Sequence, residues 1–342
     1  MDMQRPDLSG VDPAVVAYIE TLEAELARLR RPRQQRRVPA EQPPAPAEPP
    51  TTINLITLSA RGLAKRTPRH HYRPQRRGGM GIFDLETPEE DPPRFLALAD
   101  QEDLLLLITS QARAFIFPVE AVTETPIRSR GMNLAARLGW HDNEHLACVL
   151  PVHKRPHLMV VSARGQVRRY GGHTFSTALR PGSVLYDVRQ GGPPAAACWV
   201  EGDRDLFIAT RAGLAIRFAQ RLVPVRGCLG IRLQRDDEVV GACEVDDDSG
   251  VFLLGADGKG TIRLMEGFRA NKSPGGGGKV AMKTDALVGC MTVQPEQDIF
   301  ILSRLGKIIR FDAAEVPPKS GVVQGVQCME LRADATVAMT HS

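Results

Sequence analysis

Leu55-Ile-Thr-Leu-Ser59-Ala-Arg-Gly62-Leu-Ala-Lys65-Arg66 returns three times downstream. The copies are Val160-Val-Ser162-Ala-Arg-Gly165-Gln-Val-Arg168-Arg169, Ile208-Ala-Thr210-Arg-Ala-Gly213-Leu-Ala-Ile-Arg217 and Ile301-Leu-Ser303-Arg-Leu-Gly306-Lys-Ile-Ile-Arg310. Each is a short apolar run closed by Ser or Thr, a glycine turn, and a second run ending on a basic residue. Short apolar runs punctuated by glycine read as the two strands of a hairpin. Two looser copies complete the series. One begins at Ser110, with Arg113 in the glycine place and Phe117 in the basic place. The other begins Gly255-Ala-Asp-Gly258, with one extra residue before Arg263. The anchors at 59, 110, 162, 210, 255 and 303 are 45 to 52 residues apart.

Two further marks support that register. Cys148, Cys198, Cys243 and Cys290 follow their anchors by 33 to 38 residues, which reads as one repeat phase. A mid-repeat glycine comes before an apolar strand, at Gly81-Ile, Gly131-Met, Gly182-Ser-Val, Gly230-Ile, Gly278-Lys-Val and Gly325-Val. Each unit therefore holds about four short strands. A single unit of that size cannot bury both faces alone, so six of them should stack, as in a propeller-like ring. An open β-solenoid is the alternative arrangement. The expected blades are about 52–101, 102–155, 156–202, 203–246, 247–297 and 298–342.

The rest of the chain fits around this array. Residues 1–31 carry one helix over 13–31, with Asp12 as N-cap and Pro13 in the first turn. Val15, Ile19, Leu22, Leu26 and Leu29 follow a heptad seam. Two readings stand, a short helix docked on its own domain or a weak homodimeric coiled coil. Residues 32–51 form a Pro/Arg-rich linker holding Pro32, Pro39, Pro43, Pro44, Pro46, Pro49 and Pro50. Arg28, Arg30, Arg31, Arg33, Arg36 and Arg37 crowd its start, as a solvated charge run or as a flexible phosphate-binding arm. No run of 18 apolar residues marks a membrane span and no apolar segment marks a secretory signal. The six cysteines form no CxxC pair, which fits a reducing compartment and no metal site. Cytoplasmic, nucleoid-associated residence and no cofactor are the expectations. Aromatic residues are only 5% of the 342, too few for base-stacking platforms, and the net charge of +4 alone announces no nucleic-acid partner.

The chemistry concentrates in the first repeat. Residues 61–77 contain Arg61, Lys65, Arg66, Arg69, Arg73, Arg76 and Arg77 and no acid, and they lead into Gln75-Arg76-Arg77-Gly78-Gly79-Met80-Gly81. Adjacent arginines can grip phosphate oxygens bidentately, and glycines let backbone N–H groups approach a phosphate. That pairing suits a sugar–phosphate backbone and needs no base contact. A basic surface loop with turn glycines is the plainer reading of the same residues.

Gln75 to Gly81 resembles the gyrase A box, Q-R-R-G-G-K-G, of the gyrase A C-terminal domain family. Six of seven positions match, and Met80 stands in place of lysine. Gly62-Leu-Ala-Lys65-Arg66-Thr67 resembles the strand leading into the box. Pro126-Ile-Arg128-Ser-Arg130-Gly131-Met-Asn133-Leu134 resembles the family's arginine–glycine turn. The resemblance covers about residues 52–340 and implies an all-β, six-bladed β-pinwheel. It implies strands exchanged between neighbouring blades and duplex DNA bent around a basic rim. By position it carries Gln75, Arg76, Arg77, Gly78, Gly79 and Gly81 over as the box. Loss of the box lysine at Met80 removes one phosphate contact.

The repeat arithmetic adds candidates. Arg66, Arg169, Arg217, Arg263 and Arg310 recur at one phase, so they should face one side of the ring. Arg128, Arg130, Arg180, Arg226 and Lys279 lie near the mid-repeat glycines. With Lys65, Arg73 and Arg168 these complete the expected DNA-binding set. If about 8 met phosphates, log affinity should fall against log salt with a slope near −7. Asp84, Glu86, Glu89, Glu90, Asp91, Glu244 and Asp246 to Asp248 read as solvated acidic loops. Tyr18, Tyr72, Tyr170 and Tyr186 lack the Arg-Tyr-Thr context of the family's cleaving tyrosine, and no toprim-like acidic cluster is evident. Ser273 to Val280 resembles a phosphate loop only superficially, because Val280 replaces the required Ser/Thr. The expectation is a stand-alone wrapping module, not an enzyme by itself, that binds and bends DNA without sequence specificity. It would serve a separate gyrase or topoisomerase core or act as an architectural protein. A propeller used as a protein-interaction platform is the alternative.

Overall fold

The computed structural model describes residues 11–30 and 48–342, the side chains of 24–30 excepted. The chain divides into two compact units after residue 46, each described by itself. In the first, the helix Pro13–Arg30 is capped by Asp12, whose Oδ1 accepts from the Ala14 N–H at 2.8 Å. Along the heptad seam Val15 and Leu22 are exposed and Ile19 is half-buried. The Pro/Arg-rich stretch 31–47, with Arg31, Arg33, Arg36 and Arg37, lies outside the described residues. The second unit's contacts begin at Glu48, inside the stretch read as linker.

That unit is a ring of six sheets, antiparallel except for one short parallel pairing in blade five. Each blade takes three strands from its own repeat and a short outermost strand from the next. Blade one holds Ile53–Ser59, Leu63–Pro68 and Pro93–Asp100, and receives Met132–Asn133 from repeat two. The same exchange places Ser183–Val184 on blade two, Cys228–Leu229 on blade three and Lys279–Val280 on blade four. Blade five receives Pro318–Lys319 and Val326–Gln327. Repeat one in turn gives Ile82–Phe83 to blade six, with Lys307 opposite Phe83 and Ile308 opposite Ile82. This last exchange closes the ring and excludes the open solenoid.

The first strand of each hairpin is covered on both sides, which explains its unbroken apolar run. Leu105, Leu106, Leu107 and Ile108 have no exposed surface. Leu105 and Leu107 pack towards blade one, Leu106 and Ile108 towards blade three. The hydroxyl that ends the run has a bonding role in four repeats. Buried Ser59, Ser162 and Ser303 hydroxyls accept the backbone N–H four residues on, at 3.0, 3.1 and 3.1 Å, across the turn. The hairpin glycines there take positive φ, as at Gly62, Gly213 and Gly306.

Three readings shift by this geometry. In repeat two the anchoring hydroxyl is Thr109, not Ser110, and the glycine place belongs to Ala112, at φ 55, not Arg113. In blade five the extra residue turns Arg263 to the opposite strand face: it pairs with Val251 towards blade four, whereas Arg217 pairs with Phe207 towards blade five. The four recurring cysteines do share the innermost strand of blades two to five, but not one face. Cys243 and Cys290 point towards each other across adjacent blades, their sulfurs 4.0 Å apart.

Candidate nucleic-acid interface

The second strand of each hairpin ends in a one-turn 3-10 helix, and a loop then runs along the outer edge to the exchanged strand. Those six loops carry exposed bases. They are Arg73 and Arg76, Arg128 and Arg130, Arg180, Arg226, and Arg269 and Lys272 in repeats one to five; in repeat six the exposed base, Lys319, lies on the strand Pro318–Lys319. Lys279, on the exchanged strand of blade four, is exposed beside them, and its Nζ donates to the Arg269 carbonyl at 2.9 Å. Sequence reasoning missed Arg269, Lys272 and Lys319. Their signal was available: each lies between a strand-end basic residue and a mid-repeat glycine, the interval that holds Arg128 and Arg180.

The box itself is stitched to the far end of the ring. The Gln75 N–H donates to the Arg310 carbonyl and the Gly78 N–H to the Cys328 carbonyl, both at 2.7 Å. Arg77 points inward: its Nε donates to the Glu315 carbonyl at 2.8 Å and its Nη1 to the Gln327 carbonyl at 3.1 Å. Gly81 needs to be glycine on two counts. Its φ is 68°, and a Cβ there would lie 2.6 Å from the Ile308 carbonyl oxygen. Arg73, Arg76 and Met80 are left facing solvent. The box thus holds repeat one on blade six and presents part of its basic run outward.

The strand-end set departs from expectation. Lys65, Arg66, Arg217, Arg263 and Arg310 are buried and are not rim residues. Such guanidinium groups survive burial only with partners. Arg217 donates to Asp205 at 2.7 Å, to Asp247 at 2.6 Å and to the carbonyls of Met265 and Phe268 in the next repeat. Arg310 lies between Asp298 and Glu48 and also donates to the Tyr72 carbonyl. Arg66 reaches the Val122 carbonyl and Glu124. These three arginines sew blades one, four and six to the repeat that follows each in the ring. Arg263 departs again: it donates to the Gly267 carbonyl, and its Nε and Nη1 are buried without a partner. Half-buried Arg168 stacks on Tyr186 at 4.0 Å, and Arg169 is half-buried.

The acids correct likewise. Asp84 and Asp91 are buried, not solvated. Asp84 accepts from Lys65 Nζ at 2.6 Å, Tyr72 Oη at 2.5 Å and Thr57 Oγ1 at 2.7 Å. Burial pushes the Lys65 amine down, partly offset by Asp84, and pushes the Tyr72 phenol well up. Asp91 accepts from Ser59 Oγ and the Arg61 N–H. Glu244 bonds Arg155 and Gln220, while Glu86, Glu89, Glu90, Asp247 and Asp248 are exposed. Burial raises the Glu48 carboxyl, but hydrogen bonds from Arg69 and Arg310 outweigh it and leave it below the ordinary range.

The family model "DNA gyrase C-terminal domain, beta-propeller" matches residues 54–91, 103–134, 204–242 and 297–338. The DNA gyrase A protein of Staphylococcus aureus strain MRSA252 is 29% identical over 301 residues, covering 83% of this chain and 34% of the relative. The chain thus spans about a third of the length of the curated relatives it matches. A solved DNA gyrase A C-terminal domain superposes with a TM-score of 0.73 at 18% identity, covering 84% of this chain and 98% of that one. The C-terminal domain of DNA topoisomerase IV gives 0.58 at 15%, covering 86% and 94%. These likenesses show the fold. Among the described residues no helix is long and apolar enough to cross a membrane.

Proposed function

We propose, from its gyrase-A-type C-terminal fold and sequence signature, that this ring binds duplex DNA by the sugar–phosphate backbone and bends it around the outer edge. One observation carries the reading: every repeat places at least one exposed arginine or lysine between its 3-10 turn and its mid-repeat glycine, and the first adds the box. A backbone path needs cations at regular intervals and no base contact, and its energy comes from counterion release and DNA deformability. The contacting set is then Arg73, Arg76, Arg128, Arg130, Arg180, Arg226, Arg269, Lys272, Lys279 and Lys319. Gln75, Arg77, Gly78, Gly79 and Gly81 act by shaping the box.

Wrapping of this kind would supply DNA to a separate topoisomerase core, in a nucleoid setting. The helix Pro13–Arg30, with Val15 and Leu22 exposed on its heptad face, would pair two copies weakly.

The test is a topology assay: relaxed circular DNA is incubated with the protein and closed by an unrelated relaxing enzyme. A shift in linking number that is lost in an Arg73→Gln/Arg76→Gln/Arg128→Gln variant supports the reading. No retention of DNA at low salt by the wild type refutes it.

A further inference from the structure

Five of the six seams between blades are crossed by the peptide chain as it passes from one repeat to the next. The seam between blades six and one has no such link and is held by non-covalent contacts. They include the Ile82–Phe83 pairing on blade six, the Asp84 N–H to the Gly306 carbonyl at 2.8 Å and the Gln75 N–H to the Arg310 carbonyl at 2.7 Å.

Phe83 and Lys307, which the wrapping argument does not use, lie on this seam beside Arg128, which it does. Phe83 is 44% exposed on the outermost strand of blade six. Lys307 Nζ is 5.1 Å and Arg128 Cζ 5.8 Å from its ring centroid. Among the described residues neither cation makes an ion pair. A cavity of about 660 Å³ opens beside them, lined by Phe83 and Arg128 together with Arg304, Leu305, Glu86 and Glu89. Arg128 holds a left-handed backbone, φ 60°, which side chains disfavour and which functional positions often retain. An exposed ring fits the apolar face of a deoxyribose, and two cations beside it fit the flanking phosphate oxygens.

The three residues come from three repeats. Phe83 belongs to repeat one, Arg128 to repeat two and Lys307 to repeat six. We propose that Phe83, Lys307 and Arg128 form a seat for one sugar–phosphate step of duplex DNA, complete only in the closed ring, so that bound DNA locks the seam. The inference rests on the DNA-binding reading above. A ligand that binds the closed form alone suppresses opening by a factor of about 1 + [L]/Kd.

Amide hydrogen exchange tests this on the full chain, with and without a duplex long enough to span the edge loops. The amides of Asp84 and Gln75 report on the seam, and that of Ala281, bonded to the Gly213 carbonyl in blade four, is the control. At about 100 Kd of DNA, exchange at the seam amides should slow about 100-fold, well beyond the control. A Phe83→Ala/Lys307→Gln variant should lose that slowing, and its salt slope should flatten by about 1. Arg128→Gly, which relieves the left-handed backbone, should fold at least as well as the wild type and show the same loss. DNA binding by the wild type with unchanged seam exchange, or slowing that survives in both variants, overturns the inference while the DNA reading stands. Failure of the wild type to bind DNA overturns both.

Discussion

Asp84→Ala is the most informative single perturbation of the fold. The carboxylate has no exposed surface and collects three donors, Lys65 Nζ, Tyr72 Oη and Thr57 Oγ1. Lys65 lies in the second strand of blade one, whereas Asp84 follows the strand that repeat one lends to blade six. The pair therefore ties blade one to the closing segment. Removing one member of a buried pair leaves an uncompensated charge and costs about 3–5 kcal/mol. With unfolding entropy near 2 cal/mol/K per residue, a ring of about 300 residues should lose roughly 5–8 °C of melting temperature. Lys65→Met should also destabilise, because it leaves the buried carboxylate with two hydroxyl donors and no cation. The Lys65→Met/Asp84→Ala double variant should be more stable than Asp84→Ala, since no buried charge remains. Urea unfolding of the four proteins closes the cycle. A cost below about 1 kcal/mol for Asp84→Ala, or additivity within about 0.5 kcal/mol, would refute the account.

Replacing edge-loop Arg128, Arg180 and Arg226 together with glutamine should flatten the salt slope of DNA binding by about 2.7, read by fluorescence anisotropy. Arg217→Gln should instead leave the slope unchanged and lower the urea midpoint, because its guanidinium faces Asp205, Asp247 and two carbonyls. Glu48, its carboxyl held low by Arg69 and Arg310, stabilises the ring above the ordinary carboxylate pKa. That contribution fades as pH falls through the lowered folded value, so wild type and Glu48→Gln should differ in melting temperature at pH 7 and converge at strongly acid pH. Gly81→Ala, with a left-handed backbone costing about 1–2 kcal/mol and a Cβ 2.6 Å from the Ile308 carbonyl oxygen, should lower the melting temperature and speed exchange at the Asp84 amide.

The hairpins, their glycine turns and the count of six were legible in the sequence because each follows from a local rule repeated at a fixed interval. Strand exchange was not legible from periodicity. The exchanged strands are mostly pairs such as Ile82–Phe83, too short to carry a period, and only the family resemblance supplied them. The direction of the strand-end arginines was misread for a physical reason. Strands covered on both faces have no solvent side for alternation to reveal. A readable sign existed. Asp205 and Arg217, Asp298 and Arg310, and Asn54 and Arg66 each stand 12 residues apart, and each pair is hydrogen-bonded across one hairpin. A polar partner at a constant interval from a basic residue marks a buried pair. Edge-loop Arg128 and Arg226 have an aliphatic residue twelve positions earlier, Ile116 and Leu214.

That distinction changes what the small net charge means. The excess of +4 counts every acid against every base. Asp84, Asp205, Asp298 and Glu48 are engaged by Lys65, Arg217, Arg310 and Arg69 at or below the surface, where a DNA phosphate does not reach. Subtracting paired acids and bases together leaves the total unchanged but concentrates the remaining positive charge in the edge loops. The potential seen by a duplex is set by that remainder, since surface charges more than about 10 Å away are largely screened at moderate salt. Basic residues in this chain thus divide by position in the repeat: most of those ending the second strand are buried, and those after the 3-10 turn, Arg77 excepted, are mostly exposed. A substitution at the first kind that weakens DNA binding would do so by opening the ring, and would reveal itself in the urea midpoint before the salt slope.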